Sequence, residues 1–183
     1  MKKVIYSAAL VASLIGLSAC GETEKESVKG DVKQEETSSD TTATDNTEKE
    51  EKEEEGKDEE NKINQVIVDN DSYKITLLEI IKKDDEFMGK SIDVVYEVEN
   101  KLDYAIGVQA RSVSADGYMV DEAIISMSQE VVGGKKAKAV MNIMEVEDYD
   151  FPELKENLEM SLHIFNHDSF DEIESVPVNV EIK

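Results

Sequence analysis

The chain has 183 residues, 43 Asp plus Glu against 20 Lys plus Arg, a formal net charge of −23 and no tryptophan. That length allows one domain with appendages. The acid excess excludes the basic footprint needed for nucleic-acid binding and docking on an anionic bilayer by charge alone. A single cysteine excludes an intrachain disulfide framework, so an exported domain must be stabilised by its core.

At the N-terminus Lys2 and Lys3 precede a mostly apolar run, Val4 to Gly16. Its 13 or so residues fall short of the ~20 that span a bilayer as a helix. The basic start, the small residues before the cysteine and the abrupt polar shift at Gly21 mark a signal peptide rather than a core helix. At the boundary stands Leu17-Ser18-Ala19-Cys20, containing the chain's only cysteine. This tetrad resembles the lipobox of bacterial lipoproteins. The resemblance implies that residues 1–19 are a lipoprotein signal peptide and that Cys20 becomes the first residue, carrying a diacylglyceryl thioether. It also implies attachment at the outer face of the cell membrane. Two acyl chains hold a protein stably where one holds it marginally.

From Gly21 to about Lys62 the chain is Glu, Lys, Thr, Ser and Asp, with Val28 and Val32 its only large apolar residues. Such a composition buries too little apolar surface to offset the entropy of ordering it. Residues 20–62 therefore read as a lipidated N-terminus and a disordered acidic tether. As a coil of about 42 residues it would span roughly 35–40 Å and lift the C-terminal part of the chain away from the lipid.

Apolar content returns at Ile63 and persists to Ile182, so 63–183 reads as one domain. Its period is two. Ile92, Val94, Tyr96 and Val98 alternate with Asp93, Val95, Glu97 and Glu99. Leu158, Met160, Leu162 and Ile164 form a second such series, and Val176, Val178, Val180 and Ile182 a third. Each reads as a strand with one face on a core. Further strands are expected at Val66–Val68, Tyr73–Lys82, Tyr104–Val113, Tyr118–Met127 and Lys138–Met144. The breakers between them are Asp69-Asn70-Asp71, Asp84-Asp85, Met88-Gly89, Asp116-Gly117 and Gly133-Gly134. Asp116-Gly117 predicts a tight hairpin pairing Arg111–Ala115 with Tyr118–Glu122. Asp150 to Lys155 predicts one helical turn capped by Asp150. Short, regularly punctuated strands predict an all-β fold, an antiparallel Ig-like β-sandwich, with a small β-barrel as the alternative.

The strand Ile92–Asn100 followed by Asp103 resembles the strand ending in an Asn-x-x-Asp corner of small lipoproteins of Gram-positive bacteria. Val108 to Asp121 is similar to the central hairpin of that group. Gly134-Lys135-Lys136-Ala137, Ser161-Leu162-His163-Ile164-Phe165 and Phe170-Asp171 are similar to its later motifs. The resemblance covers most of 63–183 and implies an Ig-like domain on a lipoprotein, without an assigned activity. Such relatives usually carry a small polar residue where this chain has His167.

Chemistry-bearing groups are few. His163, His167, Asp168 and Asp171 are the candidate metal ligands, as imidazole plus carboxylate suits zinc or copper. Residues four apart on a strand are ~13 Å apart, however, unless the chain bends between them. Asp69-Asn70-Asp71 and Asp168-Ser169-Phe170-Asp171 are oxygen-rich but lack the EF-hand pattern, and read as Asx-rich turns. Met119, Met127, Met141, Met144 and Met160 are dispersed among alternating apolar positions, as gap-filling methionines are. Arg111, the only arginine, reads as an ion-pair partner or as a contact for an anionic ligand. No Gly-x-Ser-x-Gly elbow is present, nor any cysteine after Cys20.

The expectation is a non-enzymatic binding or adhesion module without a cofactor. It would be held on the outer face of the cell membrane through Cys20 and recognise a protein, peptide or cell-wall component. The alternative is a metal- or small-ligand-handling lipoprotein using the C-terminal His/Asp loop.

Overall fold

Twelve strands build the computed structural model, which describes residues 23–33 and 62–183. The expected signal peptide, Cys20 and residues 34–61 of the expected tether lie outside the described residues. In chain order the strands are β1 Thr23–Val28, β2 Gly30–Val32, β3 Gln65–Asp69, β4 Tyr73–Asp85, β5 Gly89–Asn100 and β6 Ile106–Ala115. They continue with β7 Tyr118–Met119, β8 Ile125–Ser126, β9 Gln129–Val131, β10 Lys136–Met144, β11 Asn157–Asn166 and β12 Glu172–Ile182.

One sheet has the order β1-β4-β5-β10-β8, with β3 also on β4; the other has β2-β12-β11-β6-β7, with β9 also on β6. All pairings are antiparallel. Without the added edge strands, β4-β5-β10-β8 against β12-β11-β6 is the four-on-three arrangement of an immunoglobulin-type sandwich. The fold is the expected all-β sandwich.

The core follows from the period of two. Ile92, Val94, Tyr96 and Val98 of the first sheet share one buried cluster with Leu158, Met160, Leu162, Ile164, Val176, Val178 and Val180 of the second. Tyr96 is fully buried, and its hydroxyl donates to the Met160 sulfur at 3.1 Å, a polar contact between the sheets. Burial drives the Tyr96 phenol far above its ordinary pKa, so it remains a neutral donor.

At the end of β5 the corner is built on Asn100, which is 1 % exposed. Its amide donates to the carbonyls of Tyr104 (2.7 Å) and Val131 (2.9 Å), and its side-chain oxygen accepts from the Leu102 N–H (3.0 Å). Gly133 lies against this corner: a Cβ there would stand 2.6 Å from the Asp103 carbonyl carbon. The turn at Asp116-Gly117 forms as expected, with φ of 50° and 79°, but the ladder is shorter than Arg111–Ala115 against Tyr118–Glu122. It holds Ala115 opposite Tyr118 and Ser114 opposite Met119, and Glu122 already belongs to a 3₁₀ turn.

Three local expectations are corrected. Asp84-Asp85 does not break the chain; β4 runs through both, and its turn comes at 86–88. Tyr118–Met127 is not one strand, because β7 belongs to the second sheet and β8 to the first. The chain must cross the core between them, and does so through a 3₁₀ turn, Glu122–Ile124, capped by Asp121 and burying Ile124. No helical turn forms at Asp150–Lys155. There Leu154 takes a positive φ of 52° to place its side chain in the core.

The larger correction concerns the tether. Residues 23–33, expected to belong to it, are strands of the sandwich. β1 pairs with one half of β4, from Thr23 opposite Asp85 to Val28 opposite Ile80. β3 pairs with the other half, from Gln65 opposite Leu77 to Asp69 opposite Lys74. After Lys29 the chain passes to the second sheet, where β2 pairs with the end of β12. Val28 joins the core, and the Gln65 side chain both accepts from the Val32 N–H (2.7 Å) and donates to the Val32 carbonyl (3.0 Å). A Cβ on Gly30 would come within 2.7 Å of a Val180 methyl, so glycine allows β2 to lie against β12.

A soluble chain starting at Gln34 should therefore melt roughly 5 °C or more below one starting at Gly21, because it loses Val28 from the core and both edge ladders. Equal midpoints would show that β1 and β2 contribute nothing. Replacing Asn100 with Ala should cost about 2–3 kcal/mol in urea unfolding, since two carbonyls and an N–H lose their partner at once.

Candidate functional site

The connections gather at the two ends of the sandwich. The upper end carries the corner 101–105 and the turn 167–171. The lower end carries the turns 86–88 and 116–117 and the crossing segment 145–156.

At the upper end the four candidate metal ligands do not converge. His163 Nδ1 lies 3.5 Å from Glu172, and His167 Nε2 lies 3.4 Å from Glu130. Asp171 accepts from the Ser169 hydroxyl at 2.8 Å, and Asp168 donates its backbone N–H to Asn166 Oδ1 at 2.9 Å. Among the described residues no group of three or more His, Cys, Asp or Glu side chains is placed to hold a metal ion. What the turn does assemble is an aromatic run. His163 stacks on Phe165 at 5.4 Å between centroids, and Phe165 on Phe170 at 6.0 Å. Gly107 makes room for it, because a Cβ there would lie 2.2 Å from the Phe165 ring. Phe170 is held at φ 61°, a region costly for a bulky side chain, and is 73 % exposed. Sequence reading missed it, because nothing in a Ser-Phe-Asp string announces a positive φ.

The remaining sequence candidates divide between structural roles and exposed surface. Asn70 accepts from the N–H groups of Ser72 and Tyr73, both at 2.9 Å, an Asx turn as expected. Beside it the Asp69 carboxylate is engaged by Lys101 (2.6 Å) and Lys74 (3.4 Å), and the Lys101 hydrogen bond chiefly lowers its pKa. Arg111 is exposed on β6 and donates to Gln109 at 3.3 Å; among the described residues no carboxylate pairs with it. Met141 and Met160 are buried whereas Met119 and Met144 are exposed, so these methionines divide between core and surface.

The lower end holds a concavity of about 1120 Å³. One wall is β1 at Glu24–Glu26 with the end of β4, the floor is the start of β5, and the other wall is Glu145–Glu153. That second wall is pinned at three points. Glu145 bonds the Lys90 backbone in both directions: its N–H donates to the Lys90 carbonyl (2.8 Å) and its carboxylate accepts the Lys90 N–H (2.9 Å). Lys82 donates its ammonium to the carbonyl of core-buried Leu154 at 2.7 Å. Asp116 accepts from the N–H groups of Lys155 (2.8 Å), Glu156 (2.7 Å) and Asn157 (3.0 Å). Carboxylates outnumber lysines in the lining, and Phe87, Met88, Tyr118, Met119, Val146 and Tyr149 are exposed at this end. The arrangement offers acidic and apolar surface for contact.

Asp116 makes the lower end pH-sensitive. Desolvation works to raise its pKa, and the backbone N–H bonds from Glu156, Asn157 and Lys155 outweigh it, so the native value is lowered. A lowered carboxylate contributes stability above the ordinary pKa of about 4 and loses it as pH falls through the native value. Asp116→Asn should therefore lower the melting point by a few degrees at pH 7, with the gap to wild type closing in acid near pH 3. A gap independent of pH would assign the loss to turn conformation instead.

Neither protein-family models, nor curated proteins, nor solved structures match this chain, so its function is argued from these residues.

Proposed function

We propose that this chain is an extracytoplasmic lipoprotein, anchored in the membrane through Cys20, whose sandwich is a non-enzymatic binding or adhesion module for a protein, peptide or cell-wall component. The observation that carries the reading is the tetrad Leu17-Ser18-Ala19-Cys20 after a short apolar run with a basic start. The position of β1 supports it further. Its first residue, Thr23, pairs with Asp85 at the lower end, so the anchor joins the domain there. The loops at 101–105 and 167–171 are at the opposite end, turned from the point of attachment. The strained, exposed Phe170 is the first contact residue to suspect, because strain of that kind persists where a fold holds a side chain for use.

Feeding cells an alkyne-tagged fatty acid should label the wild-type protein and leave Cys20→Ser unlabelled and released from the membrane fraction. An unlabelled wild type would overturn the anchor. On intact cells, a photo-cross-linker at position 170 should capture a defined partner more strongly than one on the mid-sheet residue Val140. Equal capture would remove the upper end from the binding role.

A further inference from the structure

Resting on the anchor reading above, we infer that the lower end of the sandwich seats in the interfacial layer of the bilayer, with Phe87 and Met88 as the inserted side chains. Cys20 precedes Thr23 by three residues, which bounds their separation at about 11 Å. Thr23 is paired with Asp85, and the turn carrying Phe87 and Met88 comes directly after it. A lipid on Cys20 thus holds that turn within reach of the headgroups.

The turn is built to present its side chains outward. Asp85 accepts from the N–H groups of Phe87 and Met88, both at 2.9 Å, which fixes a tight loop, and each of those residues is 80 % exposed. Tyr118 and Met119, 81 % and 69 % exposed, form β7 of the other sheet at the same end. Single exposed apolar residues are ordinary on a protein surface. Two at the tip of one hairpin, next to the proposed lipid attachment point, with two more at the same end of the sandwich, are the aromatic and apolar composition of a membrane-interface contact.

Charge sets the limit. Asp84, Asp85 and Glu86 flank the tip, with Lys83 and Lys90 the nearest basic residues in sequence. The acyl chains attach the protein and the apolar turn orients it. Insertion is therefore favoured on zwitterionic lipid and weakened on anionic lipid at low salt.

The absence of tryptophan supplies the test. Full-length lipidated Phe87→Trp, with Cys20 lipidation confirmed by mass, is reconstituted in phosphatidylcholine vesicles with brominated acyl chains. Its emission should shift to the blue and lose more than about half its intensity, while Phe170→Trp at the opposite end stays unquenched. Met88→Trp serves as a second probe of the same turn. Replacing half of the lipid with phosphatidylglycerol at low salt should reduce the quenching, and added salt should restore it. If lipidated Phe87→Trp and Met88→Trp stay unquenched, or quench no more than Phe170→Trp, the inference is overturned and the anchor stands. A chain without lipid on Cys20 overturns both.

Discussion

The structure depends on how the outer edge of β4 is closed. β4 has 13 residues; β5 takes one edge along nearly its whole length, and the other edge is shared by two strands from different parts of the chain. β3 covers Lys74–Leu77 and β1 covers Ile80–Asp85. A bare edge of that length would be a template for pairing with other chains. Closing it with β1 removes the hazard and also sets how near the domain stands to Cys20. The same eleven residues then cross at Lys29 and place β2 on the edge strand of the second sheet, so one short segment blunts both sheets on that side.

The specificity of the fold lies in a few polar groups that reach between elements. Apolar alternation decides which face of each strand is buried, but not how the ends are joined. Asn100 ties the corner after β5 to β9, and Asp116 ties the hairpin after β6 to the segment entering β11. At the edge, Gln65 ties β3 to β2. Each satisfies backbone groups that a loop would otherwise leave to water or unpaired. Phe165 over Gly107 is the apolar counterpart, a ring lying against the only kind of residue that leaves room for it.

This division explains which elements were legible in the amino-acid sequence. β5, β11 and β12 were, because their buried positions repeat every second residue, and so was the Asp116-Gly117 turn, because its chemistry is local. The crossing between β7 and β8 was not, because Tyr118–Met127 carries enough apolar residues to look like one strand. Only the position of the two sheets decides that it must break. β1 was invisible for the opposite reason. It has a single core residue, Val28, with Glu24, Lys25 and Glu26 exposed and Ser27 half-buried, so composition alone places it with the acidic run. Its stability comes from the β4 edge, which no window of the sequence contains. The His/Asp set failed to converge because each imidazole meets a carboxylate from a different strand or loop, Glu172 for one and Glu130 for the other.

The docking of β1 and β2 also changes what the acidic run is for. Residues 34–61 hold thirteen acidic and three basic residues. They leave the domain just after Val32 and return just before Gln65, and those two residues are hydrogen-bonded to each other at 2.7 Å. A segment whose ends are held together adds nothing to the separation of Cys20 from the domain, whatever its length. Its closure entropy grows only with the logarithm of that length, so insertions there cost the fold little. The physical property left to it is charge, inserted in the chain between β2 and β3 rather than between Cys20 and the domain. Reach and charge, which a linear reading of the chain assigns to the same tether, therefore separate. The separation of Cys20 from the sandwich is set by the three residues up to Thr23, and the acid load is set by an insertion between β2 and β3.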